Sequence, residues 1–464
     1  MAQPTLLTLP VELITTISHN LTAVDLQSLR QSCKAAAEKT SVCFQERFFR
    51  TRYVMLEQQS LQNLIDISEH STLREAVRSV ALCIDHLIDP RDYRGRAQLR
   101  ARGVNDEDDR VRLDDGETVS LGDDTPGSIN MGCYQEAWAE YMAFMTKKLH
   151  FKHLAQAVYN LPHCRKVSLE DAIRPWGAFR LGRRIGTLPS RFVTDALPNS
   201  VLHAMVCIRT LFVAVVKSRL PIEELHIDFG TGMAGCTAVF PRILSLPREL
   251  AQAARTQLRT VTTLHIAINP YPRDNKFNPM YYNGLPVTDP LRNETADWTE
   301  DFLRFIGLFP ALSTLSLYFF RRDEGYQFPR LSRELFVPHL QSISLELVDC
   351  TRSDLMALME RHKETLRTVR LESVSLLGGS ADRWSSVVQS FRHDFSVRKL
   401  ILGSCFVDRP WPTTDLPEKM YARTPQELDM LVAELLELEK SDGSTEQSSQ
   451  GGDSTETSPA GESV

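Results

Sequence analysis

One spacing recurs along this chain and limits what it can fold into: apolar-x-x-apolar-x-apolar, usually with Arg, Lys, Ser or Thr in the gaps. It appears as Val77-Val80-Leu82, Cys164-Val167-Leu169, Ile222-Leu225-Ile227 and Val261-Leu264-Ile266. It returns as Leu312-Leu315-Leu317, Leu340-Ile343-Leu345, Leu366-Val369-Leu371 and Val397-Leu400-Leu402. The last two apolar positions of each copy alternate, as in a strand with one buried face. A single copy carries no weight, because any half-buried strand can show it. Eight copies predict a series of similar short strands that share one core. Counted from the middle residue, the final intervals are 28, 26 and 31, and the earlier ones are 87, 58, 39 and 51. Return helices are predicted over 298–309, 353–362 and 383–395, with Asp297 and Ser353-Asp354 as start signals.

The first 45 residues follow a different rule. Pro10 suits the first turn of a helix, where its missing N–H costs nothing and its φ is already helical. Leu13, Ile14, Ile17 and Leu21 follow at helical steps and line one face. Thr22 with Asp25 three residues later reads as a capping box that starts a second helix, with Leu21 and Leu26 as its hydrophobic staple. Leu26, Leu29 and Cys33 continue the apolar face, and a third helix is predicted over 34–40. Helices this short are marginal alone. They can pack only on one another, or leave apolar surface for a partner's groove.

Leu9-Pro10-x-Glu12-Leu13-Ile14, then Asp25-Leu26-x-x-Leu29-Arg30 and Cys33-Lys34, resembles the F-box in order and spacing. The F-box is the short helical module by which substrate receptors dock on the adaptor subunit of a cullin–RING ubiquitin ligase. The resemblance implies a connector and not a catalyst. It places the adaptor contacts or their immediate support at Leu9, Pro10, Leu13, Ile14, Ile17, Leu21, Leu26 and Leu29.

The recurrent strand pattern has a matching resemblance. Its last intervals lie at or just above the leucine-rich-repeat period of 20–29, and Asn269 and Cys405 occupy the position where such repeats place Asn or Cys. The array resembles the irregular leucine-rich repeats often found behind an F-box, especially in fungal proteins, although no copy matches the full consensus. The fold expected is therefore α/β: N-terminal all-α F-box-like helices followed by an irregular leucine-rich-repeat-like solenoid. On the exposed strand face of that array, Asp228, Ser316, Tyr318, Ser344, Glu346, Arg370 and Glu372 would meet a target protein. Tyr318 and Arg370 are side-chain types favoured at binding hot spots. Glu346 and Glu372 are candidates beside them.

The domain plan has five parts. Residues 1–45 form the F-box-like module, and 46–90 a helical connector (41–70 read as helical) with the first repeat. Residues 91–130 form a flexible insertion, basic first and then acidic. Residues 131–440 form the array, with a surface loop over 270–295 and a capping helix over 426–440 that starts at Thr424-Pro425. Residues 441–464 form a disordered Ser/Thr/Gly/Glu tail.

Composition narrows the function class. Over 464 residues, 42% are hydrophobic and 24% charged, ordinary values for a globular chain. A net charge of −6 and a pI near 6.1 argue against a nucleic-acid reader. No run approaches a membrane span, and the start lacks the pattern of a secretory signal. The chain is expected in the cytoplasm or nucleus, with nine scattered reduced cysteines.

The sequence holds no phosphate-binding Gly-Lys-Ser/Thr loop, no His-Glu-x-x-His and no Gly-x-Ser-x-Gly elbow. His226 and His265 occupy equivalent positions of neighbouring copies and are predicted to be spatial neighbours. A metal site there would need a third ligand. No catalytic residue, metal or cofactor is expected. The partners expected are the ligase adaptor, cullin–RING through it, and one unidentified target protein, with no nucleic acid and no membrane. Two rivals stand beside this reading: an F-box-containing scaffold acting outside any ligase, and an enzyme whose site is assembled from distant residues within 150–420.

Overall fold

The computed structural model describes residues 8–90, 110–112, 118–120, 130–170, 178–186, 198–228, 241–268, 298–319, 328–377, 384–407 and 420–446. The chain divides into two compact units, Met1–Glu324 with Val337–His339, and Gly325–Phe336 with Leu340–Val464.

The first unit opens with four helices, α1 (Val11–His19), α2 (Ala23–Ser32), α3 (Lys34–Lys39) and α4 (Ser41–Phe49). Strand β1 (Thr51–Met55) begins two residues after α4 ends and pairs in parallel with β2 (Ser79–Cys83). The helix expected across 41–70 is thus interrupted by a strand, and resumes as α5 (Gln58–Glu69). Tyr53, Val54 and Met55 are buried there, and burial overrides the local helical preference.

Helices α6 (Met131–Thr146) and α7 (Leu149–Tyr159) lead to β3 (Lys166–Glu170), and α8 (Ala178–Ile185) and α9 (Pro198–Ser218) to β4 (Glu224–Asp228). Helix α10 (Arg248–Gln257) precedes β5 (Thr263–Ile268), and α11 (Trp298–Ile306) precedes β6 (Thr314–Phe319). The six strands run parallel in sequence order. Their register aligns the recurrent pattern: Val80, Val167, Leu225, Leu264 and Leu315 form one row, and Leu82, Leu169, Ile227, Ile266 and Leu317 the next. All ten are buried.

The second unit holds α12 (Phe328–Glu334), β7 (Ser342–Glu346), α13 (Arg352–Glu360), β8 (Thr368–Glu372), α14 (Trp384–Asp394) and β9 (Lys399–Gly403). It ends with β10 (Met420–Ala422) and α15 (Pro425–Glu446). Strands β7, β8 and β9 are parallel, and β10 closes the edge antiparallel to β9. Each parallel strand is followed by a non-glycine residue in the left-handed region: Leu347, Ser373 and Ser404. The predicted C-terminal helix starts where expected. Thr424 Oγ1 accepts from Glu427 N at 3.1 Å, the side-chain cap of this helix, and the Glu427 carboxylate reaches back to accept from Arg423 N.

The expected fold class is corrected on both counts. The first helices are not an all-helical block set ahead of an array, since they belong to the same compact unit as strands β1 to β6. Nor does the remainder resolve into a solenoid: it is a mostly parallel α/β sheet arrangement, whose main strands among the described residues number six in one unit and four in the other. A horseshoe leaves the second face of its strands open. Here that face is covered over β1 and β2, where Tyr53, Met55, Ala81 and Cys83 pack against Tyr134, Ala137 and Tyr141 of α6 and Leu181 and Ile185 of α8. Two-sided burial is what a parallel sheet with helices demands. The shared spacing reported parallel strands in a common register, and not equivalent repeats.

Most of the charged insertion over 91–130 lies outside the described residues. Within it, Arg110–Arg112 and Thr118–Ser120 pair as an antiparallel hairpin. The loop expected over 270–295 and Asn269 also lie outside the described residues; of the tail expected to be disordered over 441–464, residues 441–446 instead continue α15, and the rest lies outside the described residues.

Candidate functional site

The docking face implied by the sequence is built from α1 and α2. Pro10 stands immediately ahead of α1 with a φ of −53°, and its carbonyl accepts from Ile14 N at 3.2 Å. Thr22 caps α2 as predicted. Its hydroxyl accepts from Asp25 N at 3.1 Å and donates to the Asp25 carboxylate at 2.7 Å. Cys33, expected on the apolar face, instead lies exposed in extended backbone between α2 and α3.

The eight predicted contact residues divide by burial. Ile14 (2% exposed) and Leu26 (0%) anchor the helices inward, beside Ala36 of α3 and Cys43 of α4, which are also buried. Leu13 (51%) and Ile17 (37%) point outward, one turn apart on the same face of α1. Pro10 is exposed, and Leu9, Leu21 and Leu29 are half-buried. Three apolar residues the sequence reading passed over are exposed in the same module: Val11, Val24 (67%) and Val42. The helix period was the available signal for Val24, which falls off the Leu26–Leu29 stripe.

Polar contacts fix how these helices meet. Arg30 of α2 donates to the Ala37 carbonyl at 2.6 Å and to Thr40 Oγ1 at 3.1 Å, and its guanidinium stacks 4.0 Å from the centre of the Phe44 ring. Lys39 Nζ donates to the Leu9 carbonyl at 3.0 Å, and Arg47 Nη1 donates to the Leu21 carbonyl. Burial pushes the Cys43 thiol above its ordinary pKa, and its sulfur lies 3.8 Å from His19 Nδ1.

The strand-face candidates fall in different units. In the first, His226 and His265 stand in register on β4 and β5 with ring centres 5.5 Å apart, the neighbours predicted. His265 Nδ1 lies 2.9 Å from Ser316 Oγ, and its Nε2 lies 4.0 Å from Asp228. His226 Nε2 lies 3.5 Å from Glu224. Burial, then Lys166 and His265, lowers the pKa of His226 to about 4; burial and Lys166 lower that of His265. Both are therefore neutral at pH 7. Tyr318, half-buried, follows on β6 beside Ala267. In the second unit, Arg370 is exposed but already engaged: its Nε donates to Glu372 Oε2 at 2.9 Å. That bond to Glu372 raises the Arg370 pKa against desolvation, helped by the charges of Glu372, Glu346 and Tyr421. Ser344 stands beside Arg370 in register, and Glu346 beside Glu372.

A buried polar cluster escaped the sequence reading. The His203 ring on α9 stacks on His86 at 4.4 Å, its Nδ1 lies 2.9 Å from the Tyr141 hydroxyl on α6, and its Nε2 lies 3.2 Å from Cys207 Sγ. Burial first, then His86 and His150, holds the pKa of His203 well below the histidine range. His203 and Cys207 are one helical turn apart, but no local signal joins them to His86 and Tyr141, which lie far away in sequence. It has the chemistry of a structural joint: a His203 imidazole that burial keeps neutral, and a Cys207 thiol whose pKa burial pushes up, away from the reactive thiolate.

Among the described residues, no three His, Cys, Asp or Glu side chains are grouped so as to hold a metal ion. Among them, too, no helix is long and apolar enough to cross a membrane. Compared with known proteins, the chain matches no family model and no curated protein.

Proposed function

We propose that this chain is a substrate receptor of a cullin–RING ubiquitin ligase. Helices α1 and α2 dock the ligase adaptor, and the α/β region that follows recruits a target protein. One observation carries this reading: Leu13 and Ile17 of α1 and Val24 of α2 remain exposed after the module has folded, while Ile14 and Leu26 beside them are sealed. Scattered exposed apolar residues are ordinary. Here they fall within the segment whose order and spacing resemble an adaptor-binding motif. An amphipathic helix with an uncovered apolar face is what a partner's groove accepts.

Such a receptor contributes proximity. Holding a target beside the charged conjugating enzyme raises its effective concentration without any acid, base or nucleophile from this chain. It works in the cytoplasm or nucleus, where the ligase is.

Purification of the tagged full-length chain from cells tests the proposal. Adaptor and cullin recovered together support it. Adaptor without cullin contradicts the ligase role and leaves a scaffold. Neither recovered contradicts docking itself.

A further inference from the structure

We infer that Lys39 and Arg47 are positioning residues for the proposed docking surface: a cation from α3 and a cation from α4 hold the backbone carbonyls that flank helix α1 on either side. This rests on the docking reading above and assigns the two residues a role exerted through the chain around α1.

The need for such a device follows from how little apolar burial holds α1. The helix is nine residues long and buries one apolar side chain, Ile14, together with Ser18. Val11, Leu13 and Ile17 all face out. A helix of this length does not persist alone in water. Asn20 caps its last turn, through its N–H to the Ile17 and Ser18 carbonyls and its side-chain amide to the Thr16 carbonyl, and His19 lies beside Cys43. Two further contacts hold the chain that flanks the helix. Lys39 Nζ donates to the Leu9 carbonyl, one residue before Pro10, at 3.0 Å. Arg47 Nη1 donates to the Leu21 carbonyl, two residues beyond His19. Both donors are part-buried, where charge-assisted hydrogen bonds are stronger than neutral ones.

The two anchors come from different helices. Lys39 is the last residue of α3, and Arg47 lies in the last turn of α4. Arg30 in turn ties α2 to this corner, through the Ala37 carbonyl, the Thr40 hydroxyl and the Phe44 ring. Leu13 and Ile17 are therefore presented from a helix whose flanking chain is fixed before any partner arrives. Rigidity in the bound conformation lowers the ordering cost of association.

The test uses purified full-length chain and purified ligase adaptor. Lys39→Met and Arg47→Met keep side-chain length and remove the donors. Each is expected to weaken adaptor binding by roughly three- to tenfold, with amide exchange in residues 11–19 accelerated and the melting midpoint of the rest of the chain unchanged. Lys39→Arg and Arg47→Lys retain a cation and are expected to restore both readouts. Folded Met variants with unchanged α1 exchange and unchanged affinity would overturn the inference, and so would Arg and Lys exchanges as damaging as the Met ones. The docking reading fails separately: if Leu13→Asp binds the adaptor as tightly as the natural chain, docking is wrong, and α1 exchange alone still decides whether the clamp exists.

Discussion

Leu13 and Ile14 are neighbours in sequence with opposite environments, and that difference is the account at its smallest scale. Ile14 is sealed and Leu13 is half in water. Truncating a buried aliphatic side chain costs the lost transfer free energy plus the cavity left behind. Leu26→Ala, at a fully buried site, is therefore expected to cost about 2–5 kcal/mol. Leu13→Ala should change stability by less than about 0.5 kcal/mol, as at an ordinary surface position. Urea unfolding of the two variants side by side checks the contrast, and equal losses would mean Leu13 serves the fold. The Thr22 cap is a third case. Thr22→Ala removes the acceptor for Asp25 N and is expected to cost about 1 kcal/mol, read in the same experiment.

At the scale of elements, α6 is what distinguishes this fold from an open array. Its Tyr134, Ala137 and Tyr141 cover the second face of β1 and β2, and Tyr141 reaches across to His203 on α9. Tyr141→Phe keeps the ring and leaves His203 Nδ1 without that partner. An unsatisfied buried polar group costs about 1–3 kcal/mol, and the midpoint of chemical unfolding should fall accordingly; an unchanged midpoint would show that the joint contributes nothing. The limits of sequence reading show at the same place. The strands that follow the eight pattern copies are where the spacing put them, because one-sided burial imposes a period of two on the sequence. The helices over 298–306, 352–360, 384–394 and 425–446 lie within a few residues of their signals. Residues 134, 137, 141 and 144 also carry a helical stripe, but periodicity names a helix without naming the surface it covers. That missing fact turned a set of parallel strands into an expected solenoid. Strand β1 was hidden for a related reason, since Tyr53, Val54 and Met55 sit among residues with an equally good helical reading.

At the scale of the whole molecule, buried and half-buried histidines contribute to the response to acid. Burial first lowers the pKa of His150 and of His226 to about 4, and that of His203 well below the ordinary 6.5. Well above pH 6.5 these groups are neutral in both folded and unfolded chains. Below it the unfolded chain takes up protons that the folded chain refuses, so stability falls as pH drops from 6.5 towards 4. Melting midpoints measured across pH 7.5 to 4.5 should decline steadily, and a flat profile would contradict the burial of these rings. The two capped helices of the proposed docking segment were legible in the sequence, but which of their residues face out was not, because that depends on how α3 and α4 close behind α1. One titration of purified adaptor into the natural chain and into Leu13→Asp tests the proposed docking most directly. A charge placed in the docking face is expected to weaken binding more than about tenfold, a loss of at least about 1.4 kcal/mol, with the melting midpoint unchanged. Equal affinity from a folded Leu13→Asp chain would contradict the claim that this exposed apolar face is what the protein docks with.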